Sequence, residues 1–300
     1  MPLRFGLTAL ELQSVAQQVI ANGIPDFSRV DVVEAIRNAA GEGFSVMELS
    51  LDAKYIFDSI FTPDSVNRLA KLKDELGLSY TVHLPLWSIE LATFNEPVRQ
   101  GSVESIVECI KATRPLEPES YVLHATGSLA AEFSTLPYSK DMVRLICMLL
   151  AGFSRTSVEE IIIETEISPR KLAIENCLFP FDVTREVIDE LDTSICFDTA
   201  HLITRMSGTE SVMEFYRAHK ERITEIHLQD GTFSEYDDAI ARNDHIPLGR
   251  GVMGNSVLRD FLTALAKDNF RGPLIFELSK DEARESLEHI RKVVPHVLPS

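Results

Sequence analysis

Cysteine is scarce: 300 residues hold four, at Cys109, Cys147, Cys177 and Cys196. No two have C-x-x-C spacing, which argues against a zinc ribbon or a thioredoxin-like redox pair. They lie in apolar contexts and read as reduced, mostly buried thiols of a cytoplasmic protein. Cys177 closely follows the acidic stretch discussed below and could approach a metal there, but burial is the better reading for it. No apolar run approaches the roughly 18 residues of a membrane span. The start, MPLRFGLTALELQ, lacks a basic region followed by a long apolar one, so no signal peptide is expected. Basic residues are also few: 29 Lys and Arg against 46 Asp and Glu, a net charge of −17. Duplex binding needs cationic side chains to replace counterions along the phosphates, so general nucleic-acid binding is not expected. A small-molecule substrate is the expected partner, without a membrane; a homo-oligomer stays open. Trp87 is the single tryptophan.

What the sequence does contain is alternation. Apolar runs at 3–8, 44–49, 79–83, 120–124, 172–175, 194–198, 223–227 and 273–277 read as eight strands. Helical spacing and caps predict helices at 31–40, 62–77, 96–113, 139–153, 181–191, 211–220, 255–267 and 281–293. Residues 157–167 read as one more helix, because Ser157 and Glu160 fit a capping box and Pro169 follows. Asn255 or Ser256 is the expected cap of the helix from 255. Long loops are expected after residues 83 and 227. Strand-then-helix repetition predicts a parallel sheet, and eight units in this length predict an α/β fold, one (β/α)8 TIM barrel over residues 1–300.

The stretch from Leu172 to His201 organises the chain. Leu172-Ala173-Ile174 ends in Glu175, and Ser194-Ile195-Cys196-Phe197 ends in Asp198, with His201 three residues on. About twenty residues separate the acids, the size of a βαβ unit, so they emerge side by side at one sheet edge. Two close carboxylates repel, and a divalent cation is the usual compensation. The other strand endings extend this pattern: Glu48, His83, His124, His227 and Glu277. In a barrel these ends share one face, where active sites sit. Five of the eight histidines (His83, His124, His201, His227, His245) fall at strand ends or in the loops after them. A lone histidine there is more often structural than a ligand; it is the series that points to a site. Imidazoles with carboxylates suit zinc, manganese or iron better than calcium. Two metals suit phosphoryl transfer, whereas one suits polarising a sugar carbonyl or alcohol.

These residues resemble the xylose-isomerase-like barrel superfamily, especially its endonuclease IV branch, over nearly the whole chain. The motifs are IEN after 173, DTAH from Asp198, HLQD from His227, FE at Glu277 and the HIPLGRGVMG segment from His245. The resemblance implies a first metal on His83, His124 and Glu175, and a second on Glu175, Asp198, His227 and Glu277. It implies a third on His201 and His245 with an acid two residues earlier. That position is Asn243 here; Asp244 is adjacent but faces another way if the loop is extended. Two zinc or manganese ions are therefore expected, with the third in question. Glu175, Glu277 and His201 are the candidate catalytic groups. The expected activity is metal-dependent hydrolysis of a phosphodiester in a non-polymeric or modified nucleotide. The stretch LPLWSIELATFNEPVRQGSVESI also resembles cobamide-remodelling phosphodiesterases of the superfamily. The alternative is a sugar or polyol isomerase or epimerase with one metal. Trp87, Arg250 and Asp230 are candidate substrate contacts: a stacking ring, a guanidinium between Gly249 and Gly251, and an acid after His227. Gln229 and Asp230 are also candidates to support His227.

Overall fold

A computed structural model describes residues 2–9, 20–21, 24–25, 30–41, 43–57, 60–236 and 239–298. The apolar runs form β1 (Arg4–Thr8), β2 (Phe44–Ser50), β3 (Ser79–His83), β4 (Tyr121–Leu123), β5 (Leu172–Glu175), β6 (Ser194–Asp198), β7 (Ile223–His227) and β8 (Pro273–Phe276). These eight close into one parallel barrel in chain order, β8 pairing back onto β1 with Leu7 opposite Phe276. The expected TIM barrel is therefore the fold. Around it lie α1 (Val32–Ala39), α2 (Pro63–Leu76), α3 (Glu96–Thr113), α4 (Lys140–Thr165), α5 (Phe181–Leu191), α6 (Val212–His219), α7 (Asn255–Lys267) and α8 (Lys280–Val293).

Local sequence sets the helix ends. Asp31 caps α1 by accepting from the Val33 and Glu34 amides. Thr62 with Pro63 starts α2, and Gly77 ends it at φ 64°. Ser211 and Glu214 form a reciprocal capping box on α6.

Strand alternation then sorts the core. Outward side chains meet the helices: Phe197 stacks on Phe215 of α6 at 4.4 Å and meets Phe261 of α7 edge-on at 5.8 Å. Inward positions, two apart, run Ala173 then Glu175, Cys196 then Asp198, Glu225 then His227, and Thr81 then His83. The lower members are small or polar, and Val122, Ala173 and Cys196 pack together inside the barrel. The upper members open into the cup at the C-terminal face. Tight apolar walls thus hold a polar floor.

Several local expectations are corrected. The two helices expected between 139 and 167 are one, α4 (Lys140–Thr165), without a break at Ser157. The Ser157 hydroxyl donates to the Leu91 and Phe153 carbonyls, and Glu160 pairs with Arg99 of α3 at 2.8 Å. The apparent capping box is thus a buried α3–α4 contact. The cap of α7 is Gly254, at φ 72°, rather than Asn255 or Ser256. A short helix, Ser128–Ser134, lies between β4 and α4. The loop after β7 holds a two-stranded hairpin, Asp230–Tyr236 against Ala239–Ile246. In it Asp230 faces Ile246 and Thr232 faces Asn243. Gly231 alone therefore opposes both Asp244 and His245, a β-bulge that re-aims side chains.

Candidate metal centre

Glu175 is the hub. It ends β5, is 3% exposed, and faces four imidazoles. Its Oε2 lies 2.8 Å from His124 Nε2 and 3.5 Å from His83 Nε2. Its Oε1 lies 3.1 Å from His201 Nδ1 and 3.5 Å from His227 Nδ1. His83 Nδ1 sits 2.9 Å from the Leu84 carbonyl, which can only accept, so its Nε2 lone pair is free toward Glu175. On the other side, His227 Nδ1 is 3.1 Å from Glu277 Oε2 and 3.9 Å from Asp198 Oδ2. Two ligand groups result, each within 4.8 Å internally: His83, His124 and Glu175; and Glu175, Asp198, His227 and Glu277. A third group joins Asp198, His201 and His245. All eight expected ligands therefore share one cup.

The donor set fits divalent cations. Glu175 Oε1, His201 Nδ1 and His227 Nδ1 are buried and make no hydrogen bond, although they face one another at short range. Orphaned buried polar atoms are costly unless something ligates them. Charge agrees. Burial pushes the Glu175 carboxyl up, but the His124 and His227 charges outweigh it and hold it well below the usual range. Burial disfavours a charged His227, yet the surrounding Cys196, Glu277, Glu48 and Glu175 raise it well above an ordinary histidine. Burial raises Asp198, with Glu175's charge adding to it against the imidazoles. The acids thus demand positive charge at the centre, and a bound cation displaces imidazole protons to supply it.

Sequence reasoning missed some neighbours. Asp244 does face the cup: its carboxylate reaches His201 Nε2 at 3.5 Å and His245 Nδ1 at 3.0 Å. The bulge explains this, since it turns Asp244 and His245 toward the same side, whereas an extended strand would alternate them. An acid thus contacts both imidazoles of the implied third site from position 244 rather than 243, while the compact third group itself is Asp198, His201 and His245. Cys177, partly exposed rather than buried, meets His124 and His201. Burial raises its thiol, but those imidazoles bring it down to about 7. Its place two residues after Glu175 was the sequence signal for that contact. Gln229 bridges Asp198 Oδ2 at 2.7 Å and Glu277 Oε2 at 3.2 Å, and its side-chain carbonyl accepts the Glu277 amide. It supports those two acids rather than His227. Glu48 is not at the rim: β2 continues to Ser50, and register sets Glu48 beside Thr81, a level below the cup.

Of the three substrate candidates, one has an internal role. Asp230 is fully buried and accepts the amides of Gly231, Gly249, Gly251 and Met253 at 2.9–3.2 Å. A Cβ at Gly251 would fall 2.2 Å from its Oδ1, which explains glycine there. Asp230 builds the loop rather than facing a ligand or supporting His227. Asp230→Ala strands those amides and is expected to cost roughly 3 kcal/mol. A thermal melt should fall by about 5–10 °C; an unchanged melt would contradict the role. Arg250 is engaged with Glu285 of α8, Nε to Oε1 at 2.7 Å and Nη2 to Oε2 at 2.5 Å. Trp87 has its amide bound to Asp52 at 3.0 Å while its side chain is 52% exposed. With Tyr55, Ile56 and Ile89 it lines a groove of about 400 Å³.

Comparison with known proteins bears on the fold and the family. A probable endonuclease 4 from Sulfurihydrogenibium sp. (strain YO3AOP1) is 23% identical over 238 residues, 73% of this chain and 78% of that one. A D-tagatose 3-epimerase-like protein superposes with TM-score 0.68 at 19% identity, covering 98% of both chains. A Thermus thermophilus protein soaked with zinc chloride superposes with TM-score 0.58 at 19% identity, covering 99% of both. The two structural likenesses establish the fold. A sequence model described as "Xylose isomerase-like TIM barrel" matches residues 36–293, from α1 to the end of α8. With six of the eight strand ends bringing acids and imidazoles into one cup, this chain belongs to the xylose isomerase-like TIM barrel family.

Proposed function

We propose that the protein is a metal-dependent hydrolase of a phosphodiester in a non-polymeric or modified nucleotide, of which the nucleotide loop of a cobamide is one instance. The observation that carries this reading is the meeting of His83 and His124 on Glu175 Oε2, which adds a second ligand group to the four-residue cage. Divalent cations held there, zinc or manganese by donor type, would neutralise phosphoryl charge and acidify water. Glu175 joins the two groups and sets their spacing. Gln229 fixes the directions of Asp198 and Glu277. His201 and His245, tied by Asp244, flank the cup and offer a third group. Burial lowers His245, but Asp244 and Glu277 beside it bring it up to about 11, so a cation bound there would have to displace its proton. Trp87 offers an exposed ring to a planar group of the substrate.

One observation favours a second reading. Glu175, Asp198, His227 and Glu277 form a complete group without His83 and His124. A sugar epimerase with one cation would need no more. Assays on a bis-nitrophenyl phosphodiester and on ketoses, with zinc or manganese, separate the two: hydrolysis without epimerisation is expected. Epimerisation alone would overturn the proposal.

Ordinary or abasic duplex DNA is expected not to bind measurably at physiological salt. The net charge of −17 opposes the cationic contacts that duplex binding needs. Fluorescence titration of labelled duplex checks this, and sub-micromolar affinity would restore a DNA-repair reading.

A further inference from the structure

Beneath the cage lie two buried acids that the proposed chemistry does not use, Glu48 and Glu225. Glu48, Glu225 and His227 are each fully buried and offer ligand atoms within 4.8 Å of one another. The His227 ring stands between these acids and the cup. Its Nδ1 faces Glu277, Glu175 and Asp198 and makes no hydrogen bond. Its Nε2 points the other way, 3.4 Å from Glu48 Oε2. A carboxylate only accepts, so once a cation takes the Nδ1 lone pair the ring proton belongs on Nε2, toward Glu48. Glu48 is itself held: the Thr8 hydroxyl donates to its Oε1 at 3.0 Å, and the Thr81 hydroxyl to its Oε2 at 3.5 Å. Glu225 is anchored by the Ser120 hydroxyl, while its Oε1 has no partner.

We propose that Glu48 and Glu225 are a positioning pair, which fixes the tautomer and orientation of His227 so that Nδ1 serves the cation of the four-residue cage. The inference rests on the metal reading of that cage, not on hydrolysis. Glu48 acts directly, as acceptor of Nε2–H. Glu225 acts through Glu48, as the wall that keeps its carboxylate turned to the ring. Outer partners of this kind tune metal affinity by about 10–100-fold.

The test compares Glu48→Gln, Glu225→Gln and Glu225→Ala with the unaltered chain. Zinc affinity is read by competition with a chromogenic chelator, and cobalt(II) absorption reports the ligand field. Glu48→Gln is expected to weaken the cage ion about 10–100-fold and to shift the cobalt bands, with unchanged circular dichroism. Glu225→Gln keeps the shape of the side chain and an oxygen to accept from Ser120, and should stay within about threefold, whereas Glu225→Ala should resemble Glu48→Gln. Wild-type affinity and bands in Glu48→Gln would overturn the proposal. If that variant does not fold, equal affinities for the two Glu225 variants would do the same. Anomalous scattering from an ion between Glu48 and Glu225 would also overturn it, by making them ligands. An unaltered chain that takes up no metal would overturn the cage reading itself, a separate and recognisable failure.

Discussion

Glu175→Ala is expected to remove both principal cations and to lower phosphodiester hydrolysis at least about a thousandfold, the scale of losing a principal electrostatic stabiliser. Glu175 belongs to both ligand groups, so one truncation leaves His83 and His124 without their acid and the cage without its bridge. Among the described residues, no other belongs to both. Water cannot replace the lost charge, because the position is 3% exposed. The barrel should nevertheless survive. Leu172, Ala173 and Ile174 carry the packing of β5, and Glu175 sits above them at the strand's end. Removing an acid also relieves its repulsion with Asp198 in the metal-free chain. Metal per chain and circular dichroism on the same preparation check this. Full metal content with wild-type turnover would sink the assignment.

The strand ends were legible because the barrel imposes a simple rule. An apolar run buried on both faces, followed by an acid or imidazole, places that residue on the C-terminal face. Leu172–Glu175 and Ser194–Asp198 follow the rule, and their partners on β3, β7 and β8 do likewise. What lay between strands was less legible. Asp244 misleads because a β-bulge, invisible in a polar stretch, overrides the alternation that would turn it away. Ser157 and Glu160 carry the residue types of a helix start, yet tertiary packing uses them for Leu91 and Arg99. Asp230 looks like a substrate contact or a support for His227 by its place after that histidine, but four backbone amides claim it. Glu48 looked like a rim acid because the end of β2 was placed one residue early. In each case the residue type was informative and its partner was not, since the partner comes from a distant part of the chain.

The His83→Ala, His124→Ala double variant separates the two enzymatic readings. The two histidines end β3 and follow β4, stand 5.2 Å apart between ring centres, and address the same oxygen of Glu175. If they hold one ion of a pair, their removal should lower metal content by about one ion per chain, and hydrolysis of a bis-nitrophenyl phosphodiester should collapse with it. Glu175, Asp198, His227 and Glu277 are untouched, so the cage ion should stay. An epimerase would respond differently: its single ion would remain, and the loss would fall mainly on sugar affinity. A purely structural role predicts a third pattern. His83 binds the Leu84 carbonyl, so truncation would then lower the melting temperature without changing metal content. Metal analysis, thermal melting and hydrolysis on one preparation distinguish the three. Unchanged stoichiometry with intact hydrolysis would remove the main support for a metal pair, because among the described residues only these two imidazoles extend the four-residue cage on the β3–β4 side.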